Sequence, residues 1–119
     1  CIKLQTQKVM AKKSQIVIDV ELDENSVPDK MAWKSTENDE AGDCDAAFLS
    51  IWDSKQKNTL KIDLWTKDMT TDDMKILYHQ TFLTMSDALE RSTGEGKMAH
   101  QLREFARYFG EEMGIIERS

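Results

Sequence analysis

Proline occurs once in 119 residues, histidine and cysteine twice each, and glycine five times. Each scarcity closes off a class of protein. Two cysteines, Cys1 and Cys44, make no disulfide framework, and a reducing, cytoplasmic compartment is the simpler setting. His79 and His100 are isolated in the sequence, so ligand-spaced metal motifs are missing; the nearest approach is the run Asp43-Cys44-Asp45. There is no glycine-rich phosphate loop and no dinucleotide fingerprint. No apolar run approaches the ~18 residues of a membrane-spanning helix, so direct membrane insertion is not expected. Basic residues are in deficit, 16 against 22 acids, for a net charge of −6. From Glu21 to Asp45 nine acids stand against two lysines, leaving −7 in that segment. Such a surface repels phosphate, which argues against nucleic acid and anionic lipid as partners.

What is present fits one small folded domain. A chain of this length can bury roughly two-thirds of its unfolded surface without a metal or a disulfide. "MAKKSQ" from Met10 reads as a natural start. Residues 1–9 then read as a tag-like or upstream extension and 10–119 as a single domain. The competing idea, a lipid-bearing Cys1 left by cleavage of a lipoprotein signal, is the weaker one.

The first half alternates. Ile16, Ile18, Val20 and Leu22 share one face of a strand, with Asp19, Glu21 and Asp23 on the other, the mark of a half-wet antiparallel strand. Pro28 ends it in a turn. "KMAWKS" is a short second strand, and "ENDEAGDCD" reads as a polar loop. "AAFLSIWD", Ala46 to Asp53, is apolar on both faces and reads as a central strand. "SKQKN" is a connection of hairpin length. "TLKIDLWT" returns with Leu60, Ile62 and Leu64 inward and Lys61, Asp63 and Trp65 on the opposite face.

After Trp65 the period changes to that of a helix. Thr70 is the expected N-cap, with Asp72 and Asp73 in the first turn. Met74, Leu77, Tyr78, Thr81, Phe82, Met85, Ala88 and Leu89 form one stripe. Gly94 or Gly96 ends this helix. A second follows at once, with Met98, Leu102, Phe105, Phe109 and Met113 in register, and the tail from Gly114 reads as frayed. The expected fold is α+β: a four-stranded antiparallel sheet followed by two antiparallel helices packed on one face.

Little in this pattern calls for catalysis. Cys44 lies among carboxylates that raise its pKa and blunt a nucleophile. His79 is off the main stripe and His100 on a polar face, so both read as surface histidines. No catalytic, cofactor-binding or metal-ligating residue is assigned, and the chain is read as not an enzyme. The rival is a metal or enzymatic site built from His79 with Asp43 to Asp45. Of the three tryptophans, two or three read as core, and an outward one as a binding anchor. Trp65, on a charged strand face, is the candidate. Ile76 and Leu83 lie roughly opposite the main stripe of the first helix and serve either the second helix or a partner. Since the strand of Leu49 and Ile51 is apolar on both sides, a homo-oligomer is expected with Trp65 and one of Leu49 or Ile51 near its centre. The partner-binding candidates are therefore Trp65, Leu49, Ile51, Ile76 and Leu83.

The stretches "SQIVIDVELDENSVPDKMAWKS" and "FLSIWDSKQKNTLKIDLWTKDMTTDDMKILYHQTF" resemble the gliding motility-associated protein family GldC. The likeness runs from about Lys12 to Phe109. Its specific parts are "ELDEN" followed by proline, "WDSK", and "IDLWTKDM" leading to "HQT". The resemblance implies an accessory factor of gliding in Bacteroidetes-type bacteria, linked to type IX secretion, with other gliding-motility or secretion proteins as partners. It implies no catalytic residue. The order of strands and helices also resembles the export chaperone SecB, which implies a holdase or export adaptor at the level of architecture alone.

Overall fold

The computed structural model describes residues 12–118. The 1–9 extension and Cys1 lie outside them. The chain divides into two compact units, one ending at Met69 and one beginning at Thr70.

The first unit holds β1 (Ile16–Leu22), β2 (Pro28–Ser35), β3 (Glu40–Cys44), β4 (Ala46–Asp53) and β5 (Asn58–Trp65). They make two antiparallel sheets, β1-β2-β3 and β4-β5. The α+β class and the order of strands before helices hold, but the single four-stranded sheet does not. "ENDEAGDCD", expected as a loop, supplies the extra strand. It pairs Met31 with Cys44, Trp33 with Gly42 and Ser35 with Glu40. Its glycine is the reason it fits. A Cβ at Gly42 would stand 3.1 Å from Trp33 Nε1, so the indole lies over a bare backbone. Ile18, Trp33 and Gly42 form one cross-strand row, and Val20, the buried Met31 and Cys44 form the next. Asp19 and Glu21 lie on the other face, as the alternation of β1 requires.

Asp45 alone separates β3 from β4, so the chain leaves one sheet and enters the other in a single step. β4 pairs with β5 from Ala46↔Trp65 to Asp53↔Asn58. It is one strand of a pair, not the central strand expected. An apolar sequence on both faces does not specify how many neighbours its backbone has. The turns between β2 and β3 and between β4 and β5 each leave four residues outside the ladder, closed by Asp39 (φ 52°) and Lys57 (φ 56°) in the left-handed region. Asp53 braces the second turn, its Oδ1 accepting from the Lys55 N–H at 2.9 Å and the Gln56 N–H at 3.2 Å.

The second unit is a helix pair, α1 (Thr71–Thr93) and α2 (Gly96–Glu112). Thr70 is the N-cap. Its Oγ1 accepts from the Asp73 N–H at 3.0 Å, and the Asp73 carboxylate reaches back to the Thr70 N–H at 3.5 Å. Gly94 closes α1 at φ 76°, where an L side chain would be strained. The seam differs from the expected stripes. The buried residues are His79 and Ser86 on α1 and Ala99, Ala106 and Gly110 on α2. His79 and Ser86 are seven apart, as are Ala99 and Ala106, two turns along one line of a helix. The small side chains let the helices close together. His79, read as a surface histidine, is buried against Gly110 and Ile116 instead. The tail is not frayed at Gly114 either. The Ile115 and Ile116 N–H groups both donate to the Gly110 carbonyl, which folds Ile116 back over the helix end.

Candidate functional site

The passage from strand to helix is fixed by short-range bonds. Thr66 is buried. Its hydroxyl donates to Asp45 Oδ1 at 3.0 Å and its N–H to the Asp45 carbonyl at 2.8 Å. The Asp68 and Met69 N–H groups in turn donate to Thr66 at 3.3 and 3.2 Å. This anchors the end of β5 to the strand break at Asp45 and so sets the position of Trp65.

Trp65 is 48% exposed and lines a hollow of about 290 Å³ with Val27, Pro28, Asp63 and Leu64. Asp63 is the one charged residue of its lining, and Asp23 adjoins it through Val27. The Lys67 ammonium donates to Asp23 Oδ2 at 2.9 Å and lies 3.7 Å from Asp29. Asp23 Oδ1 accepts from the Asn25 and Val27 N–H groups at 2.8 and 3.0 Å, which shapes the turn that presents Val27. The Lys67 bond first, and those two N–H bonds next, pull the Asp23 carboxyl from its ordinary 3.8 down to about 2. Asp63 is paired with Lys61, whose ammonium sits 4.7 Å from the centre of the Phe48 ring. The result is a half-exposed indole beside a largely apolar hollow.

The register places the other candidates. Trp65, Asp63, Lys61 and Thr59 share a face of the β4–β5 hairpin with Ala46, Phe48, Ser50 and Trp52. Leu49 and Ile51 lie on the opposite face, paired with Ile62 and Leu60. The structure therefore does not bring Trp65 together with Leu49 or Ile51 on one surface. Leu60 and Ile62, expected inward, are exposed, as is Ile51. Of the tryptophans only Trp33 is half-buried; Trp52, at 59%, is more exposed than Trp65. Ile76 lines a hollow with Met113 to Ile115 at the end of α2, and both Ile76 and Leu83 are exposed.

Sequence reasoning missed one surface. Tyr78, Phe82, Phe105, Tyr108 and Phe109 form a chain of ring contacts, with Phe82 edge-on to Phe105 at 5.6 Å and to Phe109 at 5.2 Å. Tyr78, Phe105 and Tyr108 are exposed beside Met85 and Met98. The stripes through Tyr78, Phe82, Phe105 and Phe109 are legible as apolar, but periodicity reveals a face and not what covers it.

Among the described residues, no group of three or more His, Cys, Asp or Glu side chains is placed to hold a metal ion. The Cys44 thiol is pushed up, by burial first and by Asp45 and Asp43 after it. No described helix is long and apolar enough to cross a membrane.

A family model described as "Gliding motility-associated protein GldC-like" matches residues 28–115. No match was found to a curated protein or to a solved structure. The matched span takes in β2 to β5 and both helices, most of the chain. The chain belongs to the GldC-like family.

Proposed function

We propose that this gliding motility-associated chain is a non-enzymatic accessory protein that works through protein contacts in the gliding machinery of Bacteroidetes-type bacteria. Its partners are other gliding-motility or secretion proteins, met on the cytoplasmic side. Family membership supplies the process. The observation that carries the mode of action is Trp65, a half-exposed indole beside the Val27–Pro28 hollow, with the Lys61–Asp63 pair on the same strand face. Truncating an anchor of this kind costs about 2 kcal/mol or more of partner affinity, a loss of tens-fold. The test is genetic. A gliding strain lacking the protein should spread poorly, and the wild-type chain should restore spreading. Trp65→Ala, at equal cellular level, should not. Full spreading without the protein would overturn the proposal.

A holdase or export-adaptor reading draws support from the aromatic and methionine surface of the helix pair, formed by Tyr78, Met85, Met98 and Phe105. It assigns the work to that surface. Spreading that survives Trp65→Ala but fails with Phe105→Ser would favour it.

A further inference from the structure

The β4–β5 hairpin is a two-stranded sheet of its own. A two-stranded hairpin is marginal in water by itself, and three or more strands with an apolar face are the usual minimum. Both of its faces carry large apolar groups in the open. Ile51, Leu60 and Ile62 are exposed on one, Trp52 and Trp65 on the other. Among the described residues no strand pairs with β4 except β5. Exposed edges are normally guarded by lysine, proline, a bulge or an inward charge. β1 is guarded in this way, by Asp19, Glu21 and a register break at Glu21/Leu22. β4 is not. From Ala46 to Trp52 it carries no charge, no proline and no glycine.

We propose that the open edge of β4 docks a second copy of this chain, β4 against β4 in antiparallel register about a two-fold axis at Ser50. The proposal deepens the contact reading above by assigning the chain a second contact surface, with itself. Three features select a second copy as the occupant. First, a strand self-pairs about a two-fold axis only if nothing in it repels its own image, and β4 satisfies this from Ala46 to Trp52. Second, charge does not bar the approach. The chain's net negative charge sits in Glu21 to Asp45, which carries −7 of a total of −6. The hairpin is close to neutral: Lys55, Lys57 and Lys61 stand against Asp53 and Asp63, for +1, so little charge opposes its own image there. Third, the register completes the faces. With Ser50 on the axis, Leu49 meets the partner's Ile51 and Phe48 meets the partner's Trp52. Antiparallel partners share a face, so Ala47, Leu49, Ile51, Leu60, Ile62 and Leu64 of each copy merge into one apolar surface across four strands. Ser50 is the one polar residue between Ala46 and Trp52, and it falls where two identical side chains must meet.

The deciding variant is Ser50→Glu. Ser50 is exposed and lies directly across from Lys61. A glutamate there gains a favourable cross-strand neighbour within its own hairpin. On the two-fold axis, however, it meets a second glutamate. Sedimentation of the full chain should show a dimer for the wild type and a monomer for Ser50→Glu, with unchanged circular dichroism. Amide exchange across 46–53 should slow as wild-type concentration rises, and should not in the variant. A monomeric wild type would overturn the proposal. So would a dimer that survives Ser50→Glu with exchange across 46–53 independent of concentration. Neither result touches the Trp65 contact, which is judged by spreading and lies at the far end of the hairpin face.

Discussion

Asp23 joins the turn after β1 to the Lys67 ammonium at one carboxylate, and its bond to the Val27 N–H fixes one wall of the Trp65 hollow. Each donor favours the charged form, which is why its pKa falls from 3.8 to about 2. A carboxyl depressed on folding contributes stability above its unfolded value. That contribution drains away as pH falls through the folded value. For Asp23 the window runs from 3.8 down to about 2, and neutral pH lies safely above it. Carbonyl-detected NMR of the Asp23 side chain should show a midpoint near the lower figure. In Lys67→Met it should rise yet stay below 3.8, since the Asn25 and Val27 N–H groups remain. A wild-type midpoint at the ordinary value would mean that the ion pair does not form.

At the scale of elements, the helix pair depends on a close approach at Gly110. A Cβ there would stand 2.9 Å from His79 Nε2 and 3.0 Å from Ile116 Cγ1. Alanine is the better helix former by up to about 1 kcal/mol. Overpacking costs about 1–3 kcal/mol when the neighbours cannot move, and His79 is buried. The clash should win. Gly110→Ala should cost about 1–2 kcal/mol of stability, read as a lower denaturant midpoint. In a His79→Ala background the same change should be near neutral or stabilising. Equal destabilisation in both backgrounds would show that His79 does not rest on Gly110.

The same elements show what a sequence reveals. The alternation of β1 and the cap at Thr70 were legible because their causes are local: pleat and side-chain hydrogen bond. β3 was not, because Glu40–Cys44 reads as polar and glycine-bearing, and its strand character comes from Trp33 lying over Gly42. The helix seam was hidden for a related reason. Ala99, Ser86, Ala106 and Gly110 are too small to mark an apolar period, while the larger stripe at Tyr78 and Phe105 is exposed. Trp65 was legible as a candidate from its strand face. Its hollow was not, since Val27 and Pro28 lie far from it in sequence.

For the whole molecule, family and surface point the same way. The chain belongs to a gliding motility-associated family, and its described surface carries large apolar side chains suited to contact. Its net charge of −6 opposes approach to other polyanions. The central claim is that Trp65 anchors another component of the gliding machinery. The most direct measurement replaces Trp65 with a photo-crosslinking aromatic residue in a gliding strain and identifies the adducts formed in living cells. A discrete adduct to a gliding or secretion component is expected, lost when Val27 and Pro28 are replaced by charged residues. Crosslinks to solvent and abundant bystanders alone, from a protein that still supports spreading, would contradict it.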